Sequence, residues 1–155
     1  MERIPITPEG HEALKKELEH LKKVERPQNI LAIEEARAHG DLSETAEYDA
    51  AKDRKGFLDG RIGELEFKLA NAMVINPDSF DKDHAVFGCR VVLENLDTGE
   101  TVEYMLVGPD ESNIERGRIS VASPLGKAII GKKPGDEVTL YAPGGKRLYE
   151  LVQIR

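Results

Sequence analysis

Nine consecutive residues, Asp41-Leu42-Ser43-Glu44-Thr45-Ala46-Glu47-Tyr48-Asp49, hold four carboxylates and no basic side chain. Acids in the first turn of a helix favour its dipole and keep a loop soluble, and that alone accounts for the run as well as a site does. Clustering has a cost, however: even in water, unit charges about 8 Å apart repel by roughly 0.5 kcal/mol per pair, and several-fold more in a less polar cleft. A cation would relieve it. Hard divalent ions such as Mg²⁺ take one or two carboxylates and fill their other positions with water and substrate phosphate, which suits Asp41 and Glu44, three residues apart on a turn. So few carboxylates hold Mg²⁺ weakly, so the remaining ligands must come from another molecule. Other constellations are weaker. His39 with Asp41 and Glu44 makes a poor metal triad, because a turn residue and a helix cap seldom converge without folded walls. His11, His20 and His84 are isolated and read as solvated, and Pro143-Gly144-Gly145 reads as a turn rather than a phosphate loop.

The elements that position this run follow from periodicity. Residues 7–75 are rich in Ala, Leu, Glu and Lys, which favour helix. Thr7 is placed as an N-cap, Pro8 at the first helical position and Glu9 facing the positive end of the dipole. Leu14, Leu18 and Leu21 step by four and three, the spacing of a helix-packing seam. Pro27 predicts a kink or short break before the seam resumes through Ile30, Ile33 and Ala36, with the helix ending near His39-Gly40. A second helix starting within residues 43–47 carries the matching seam Leu58, Ile62, Leu65 and Leu69. Two helices of roughly 28 to 31 residues with a short connection must lie antiparallel and bury their stripes on each other, leaving the acidic run at the turn. Most of the hairpin should then project into solvent and stay charged.

Residues 77–84, polar and Pro-bearing, mark a linker between a hairpin at 1–76 and a second domain at 85–155. In the latter, residues 86–93, 101–107, 119–121, 138–141 and 148–154 read as strands, with Gly99 in a hairpin turn. Ser123 caps a short helix that starts at Pro124. The fold class is therefore α+β: an antiparallel coiled-coil helical hairpin, then a small, mostly antiparallel β domain with one helix.

Composition narrows the function. The chain has 155 residues, 22 basic against 29 acidic, a net charge of −7, 33% charged residues and 5% aromatics. An acidic total argues against gripping duplex nucleic acid through bulk charge. No apolar run approaches the roughly 18 residues a membrane span needs, and the opening Met1-Glu2-Arg3-Ile4-Pro5 lacks the features of a secretory signal. We therefore expect a cytosolic protein with no membrane partner. Cys89, the single cysteine, excludes an internal disulfide and Cys-rich zinc sites and reads as a core side chain.

Three segments resemble the Gre family of bacterial transcript-cleavage factors: Ile4-Pro5-Ile6-Thr7, the stretch from Gly40 through Tyr48, and Ser123-Pro124-Leu125-Gly126 through Gly131 with Pro134-Gly135-Asp136. The similarity spans nearly the whole chain. It implies an N-terminal coiled coil that enters the secondary channel of bacterial RNA polymerase, an FKBP-like C-terminal domain docked on the channel rim, and a monomer. By this resemblance Asp41 and Glu44 sit beside the polymerase's catalytic Mg²⁺ and help hold a second ion and a water for hydrolysis of backtracked RNA. The factor needs no cofactor of its own, sharing Mg²⁺ with the polymerase, and is no nuclease alone. Arg37 and Lys52 match a basic patch that contacts the nascent RNA 3′ segment, with Arg54 and Lys55 as extensions. Ala122, Ser123, Pro124 and Leu125 would touch the rim. One position departs: Thr45 stands where the family usually has Asn, replacing an amide by a hydroxyl that still donates and accepts. Two rival readings are a channel-binding inhibitor that supports no cleavage, and a prolyl isomerase. The scarcity of aromatics after Phe80, with only Phe87, Tyr104, Tyr141 and Tyr149, argues against an aromatic-lined proline pocket.

Overall fold

The computed structural model describes residues 3–38, 46–79 and 83–155. The chain divides into two compact units, one of residues 11–71 and the other of residues 1–10 with 72–155.

The first unit is helical. Helix α1 (Pro8–His20) runs through a π-helical turn (Leu21–Glu25) into α2 (Arg26–Arg37), and α3 spans Ala46–Ala70. Three contacts fix an antiparallel pairing, because their second members fall as the first rise: Arg26 with Asp59, Asn29 with Ala51, and Arg37 with Tyr48. Leu21, Leu58, Ile62 and Leu65 are buried together, with Leu14 and Leu18 packed on them. Each such side chain removed from water contributes about 1.5 to 3 kcal/mol.

Pro27 does not break the helix. The π turn just before it, closed by the Arg26 N–H on the Leu21 carbonyl, adds one residue to the turn and eases the clash and missing donor that a proline brings. That extra residue also shifts the seam. Continued in steps of four and three from Leu21, the stripe would fall on positions 25, 28, 32 and 35; moved on by one, it falls on Arg26, Asn29, Ile33 and Ala36. Asn29 and Ala36 are indeed buried, whereas Ile30, expected on the seam, is 49% exposed. In its place the Asn29 Nδ2 donates to the Ala51 carbonyl at 2.9 Å inside the interface. A buried amide of this kind specifies register at some cost in stability.

Ion pairs lace the flanks between helices: Arg61 grips Glu17 through Nε at 2.7 Å and Nη2 at 2.9 Å, and Arg26 with Asp59, Arg54 with Glu25 and Lys22 with Glu66 add single contacts. Two histidines also have carboxylate neighbours, His20 at Glu25 (3.2 Å) and, in the other unit, His84 at Asp83 (2.7 Å), so they are exposed but not isolated.

The second unit is built on a five-stranded sheet of order β5-β4-β3-β7-β6, from β3 (Arg90–Asn95), β4 (Thr101–Val107), β5 (Arg118–Ser120), β6 (Glu137–Ala142) and β7 (Gly145–Ile154). Only the β4–β5 pair in this sheet is parallel. Helix α4 (Pro124–Ile129) lies against one face, and Val91, Leu93, Leu106, Ile119, Ile129, Val138 and Leu151 form the core, with Cys89 among them as expected. Gly99 has φ +77 in the β3–β4 turn, the left-handed conformation that glycine adopts without strain.

Strand β3 starts at Arg90, later than the run from residue 86 suggests, because 86–89 turn into the core instead: Gly88 N–H bonds the Leu106 carbonyl at 2.7 Å and Cys89 is buried. A second sheet was not foreseen: β1 (Ile4–Ile6) pairs in parallel with β2 (Ala72–Val74). Thr7, 2% exposed, caps α1 by accepting the Gly10 N–H at 3.0 Å. The Glu111 carboxylate accepts from the Thr7 N–H and hydroxyl and from the Gly108 N–H, which ties this first segment to the β unit.

Candidate functional site

Asp41 and Glu44, with His39 and Thr45, lie outside the described residues. The described residues flanking them show what the helices present there. Arg37 closes α2. Glu47 and Asp49 are exposed in the first turn of α3, and Tyr48 is half-buried. The guanidinium carbon of Arg37 lies 5.9 Å, and Lys52 Nζ 5.5 Å, from the centre of the Tyr48 ring. Lys52 is four residues beyond Tyr48, one turn along the same helix face, while Arg37 arrives from the opposite helix. Each cation over an aromatic face gains about 0.5 to 1 kcal/mol at an exposed site. The ring therefore orders both cations while leaving their N–H groups to bind elsewhere; neither forms an ion pair among the described residues. Arg54 and Lys55 do not join them. Arg54 bonds Glu25 at 3.2 Å and covers Phe57, and Lys55 bonds Asp59 at 2.7 Å.

These pairs set the local carboxylates. Arg54, and secondarily His20, hold Glu25 below its ordinary range, and Lys55 followed by Arg26 does the same for Asp59. The paired Arg61 lowers Glu17, and its own pKa is raised in return.

In the β unit, Ala122, Ser123, Pro124 and Leu125 lead into α4. Ser123 Oγ accepts the Gly126 N–H at 3.1 Å and donates to the Ser120 carbonyl at 2.6 Å, and the Ala122 N–H donates to Ser120 Oγ at 3.0 Å. The segment is rigid for a steric reason too: a Cβ on Gly126 would stand 2.1 Å from the Ser120 carbonyl oxygen, so only glycine lets the helix start this close to β5. Ser123, Pro124 and Leu125 line an open groove of about 340 Å³ together with Ile114, Leu140, Tyr141 and Pro143. Ile114 is 61% and Tyr141 77% exposed. Sequence reasoning missed both. The available signal was a lone isoleucine within the polar stretch 111–116. A larger apolar groove of about 620 Å³, lined by Pro5, Met73, Phe87 and Ile130 among others, contains none of the acidic, basic-patch or rim residues expected to act at the site.

Two family models match the chain, one described as the N-terminal domain of transcription elongation factors over residues 4–74 and one as the C-terminal domain of GreA/GreB transcription elongation factors over residues 81–155. The chain is 52% identical to the transcription elongation factor GreA of Thermodesulfovibrio yellowstonii, covering 99% of this chain and 97% of the relative. It is 56% identical to GreA of Syntrophus aciditrophicus, covering 99% and 96%. Among solved structures, the GreA factor homolog 1 of Thermus thermophilus is 31% identical over 99% of both chains, with a TM-score of 0.45. The helical unit and every strand of the other unit, from the parallel β1–β2 pair to the last, thus fall within matched segments, and the chain belongs to the GreA/GreB family of transcription elongation factors.

Proposed function

We propose that this chain acts on bacterial RNA polymerase as an elongation factor that stimulates the polymerase's own cleavage of backtracked RNA. The observation that carries the reading is whole-chain similarity to GreA at 52% identity, in a sequence whose run from Asp41 to Asp49 holds four carboxylates. In this reading the segment between α2 and α3 enters the secondary channel and brings Asp41 and Glu44 to the polymerase's Mg²⁺ site. The donor chemistry fits: two carboxylates supply hard oxygens but too few for a complete site. Mg²⁺ held there would lower the pKa of a bound water and neutralise charge on the phosphoryl group. The chain's own task is to place carboxylate oxygens that orient this chemistry, and it has no separate nuclease activity.

Arg37 and Lys52, seated on Tyr48, supply fixed cations for the phosphates of the RNA 3′ segment. The groove at Ser123, Pro124 and Leu125, with Ile114 and Tyr141 exposed at its edge, supplies an apolar face for the channel rim. The working location is the cytoplasm, where the polymerase is. Adding the protein to stalled, backtracked complexes and resolving the RNA tests the reading. Release of short 3′ fragments supports it, and blocked synthesis without fragments would make the protein an inhibitor.

A further inference from the structure

The outer face of the five-stranded sheet carries charge that the cleavage reading does not use. Arg90 stands opposite Met105 across β3–β4, and Met105 opposite Arg118 across β4–β5. Arg90 and Arg155 exchange both backbone hydrogen bonds, at 3.1 and 2.8 Å. Register partners share a face of a sheet, and successive residues alternate faces. The next residues along, Val91, Leu106 and Ile119, point into the core. Arg118, Met105, Arg90 and Arg155 therefore form one row across four strands on the solvent side. Arg116 joins them from the turn before β5, where Gly117 takes φ +72.

Arg90, Arg116 and Arg118 line a hollow of about 210 Å³ with Glu103, Met105 and Gly117. Its single carboxylate is already engaged: Arg155 Nη1 lies 3.0 Å from Glu103 Oε1. Among the described residues Arg90, Arg116 and Arg118 form no ion pair. Three unneutralised guanidinium groups thus share one hollow in a chain whose net charge is −7. Arginine presents a planar fork of donors that matches the oxygens of phosphate or carboxylate. A lone carboxylate would offset one of the three charges, whereas linked phosphates offset all three and offer enough oxygens for three forks. The volume is below the roughly 300 Å³ at which sites for whole drug-sized ligands begin, so the hollow takes a phosphate chain and leaves the rest of the ligand outside.

We propose that Arg90, Arg116 and Arg118 form a binding site for adjacent phosphate groups, the chemistry shared by a free nucleoside polyphosphate and a nucleic-acid backbone. The site lies wholly in the β unit and stands whether or not the protein stimulates cleavage. The test is titration of the isotope-labelled full chain, followed through its backbone amide resonances, first with inorganic pyrophosphate, then with ATP and with a single-stranded RNA oligonucleotide. Saturable shifts centred on Arg90, Met105, Gly117 and Arg118 are expected. Combining Arg90→Ala with Arg118→Ala should weaken pyrophosphate about tenfold or more, since two charge-assisted forks are lost. Glu103→Gln, which removes the competing carboxylate and frees Arg155, should strengthen it, and gives a reading independent of the double variant. ATP binding tighter than pyrophosphate assigns the site to free nucleotides. RNA binding tighter than ATP, and weakened by the double variant, assigns it to a backbone. Absence of saturable shifts with all three ligands, or unchanged affinity in the double variant, overturns the proposal.

Discussion

The two units solve the problem of staying folded by different means. In the helical unit one seam of leucines and an isoleucine is buried, and around it carboxylates and bases pair across and along the helices. The β unit instead closes a sheet over a broad apolar core, and among its described residues only Asp83 is a carboxylate with a lowered pKa, held there by His84. The contrast shows where each architecture leaves charge in contact with water. A narrow seam leaves most of each helix in water, where ion pairs add little individually, while a sheet face buried on one side leaves its other face open for function.

The largest expected effect separates the cores. Leu151→Ala and Leu65→Ala both truncate fully buried leucines, for which about 2 to 5 kcal/mol is the usual range. The sheet variant should lie at the upper end, because strands fixed on both sides cannot collapse into the cavity, and the hairpin variant at the lower end. Amide hydrogen exchange resolved by unit checks this. Equal losses, or loss of protection in the wrong unit, would erase the distinction.

Next comes Asn29. Replacing it with Ala removes the amide bonded to Ala51 and should cost about 1 kcal/mol. Asn29→Leu should instead stabilise the helices while loosening their register, seen as a higher melting temperature with broadened amide signals. A sharp single spectrum for the Leu variant would show that the π turn alone sets the register.

Acid should discriminate between the units with a smaller effect. Glu17, Glu19, Glu25, Asp59 and Glu64 of the helical unit are all held below their ordinary values by basic partners. A lowered carboxylate contributes stability that is fully present above its unfolded value, 4.5 for the glutamates, and is lost as pH falls through the folded value. Helical signal should therefore weaken below about pH 4.5 before the β unit responds. Glu17→Gln should remove part of that dependence, by less than about 1 kcal/mol because the pair is partly solvated. The same slope in both units would contradict it.

Much of this architecture was legible in the sequence because it is local. Leu14, Leu18, Leu21 and the α3 leucines announce the hairpin by spacing, Thr7 and Ser123 announce helix starts by side-chain chemistry, and Thr101–Val107 forms one strand as read. What was hidden depends on geometry between distant residues. Pro27 signals strain but not its relief by a π turn one step earlier, so the one-residue shift that moves the stripe from position 28 to Asn29 could not be foreseen. Nothing in Ile4-Pro5-Ile6 says that its partner is Ala72–Val74. At the candidate site, Arg37 and Lys52 could be singled out, but Tyr48 as their common support emerges only when α2 and α3 are paired. Ile114 and Tyr141 lie 27 positions apart and meet only around α4.

The central claim is that carboxylates of this chain complete a Mg²⁺ site belonging to the polymerase. It is tested most directly by comparing wild type with Asp41→Ala and Glu44→Ala on backtracked complexes at limiting Mg²⁺, with polymerase binding measured alongside. Both variants should bind almost as well as wild type and release few or no short 3′ RNA fragments. Cleavage by either variant at the wild-type rate would contradict the assignment.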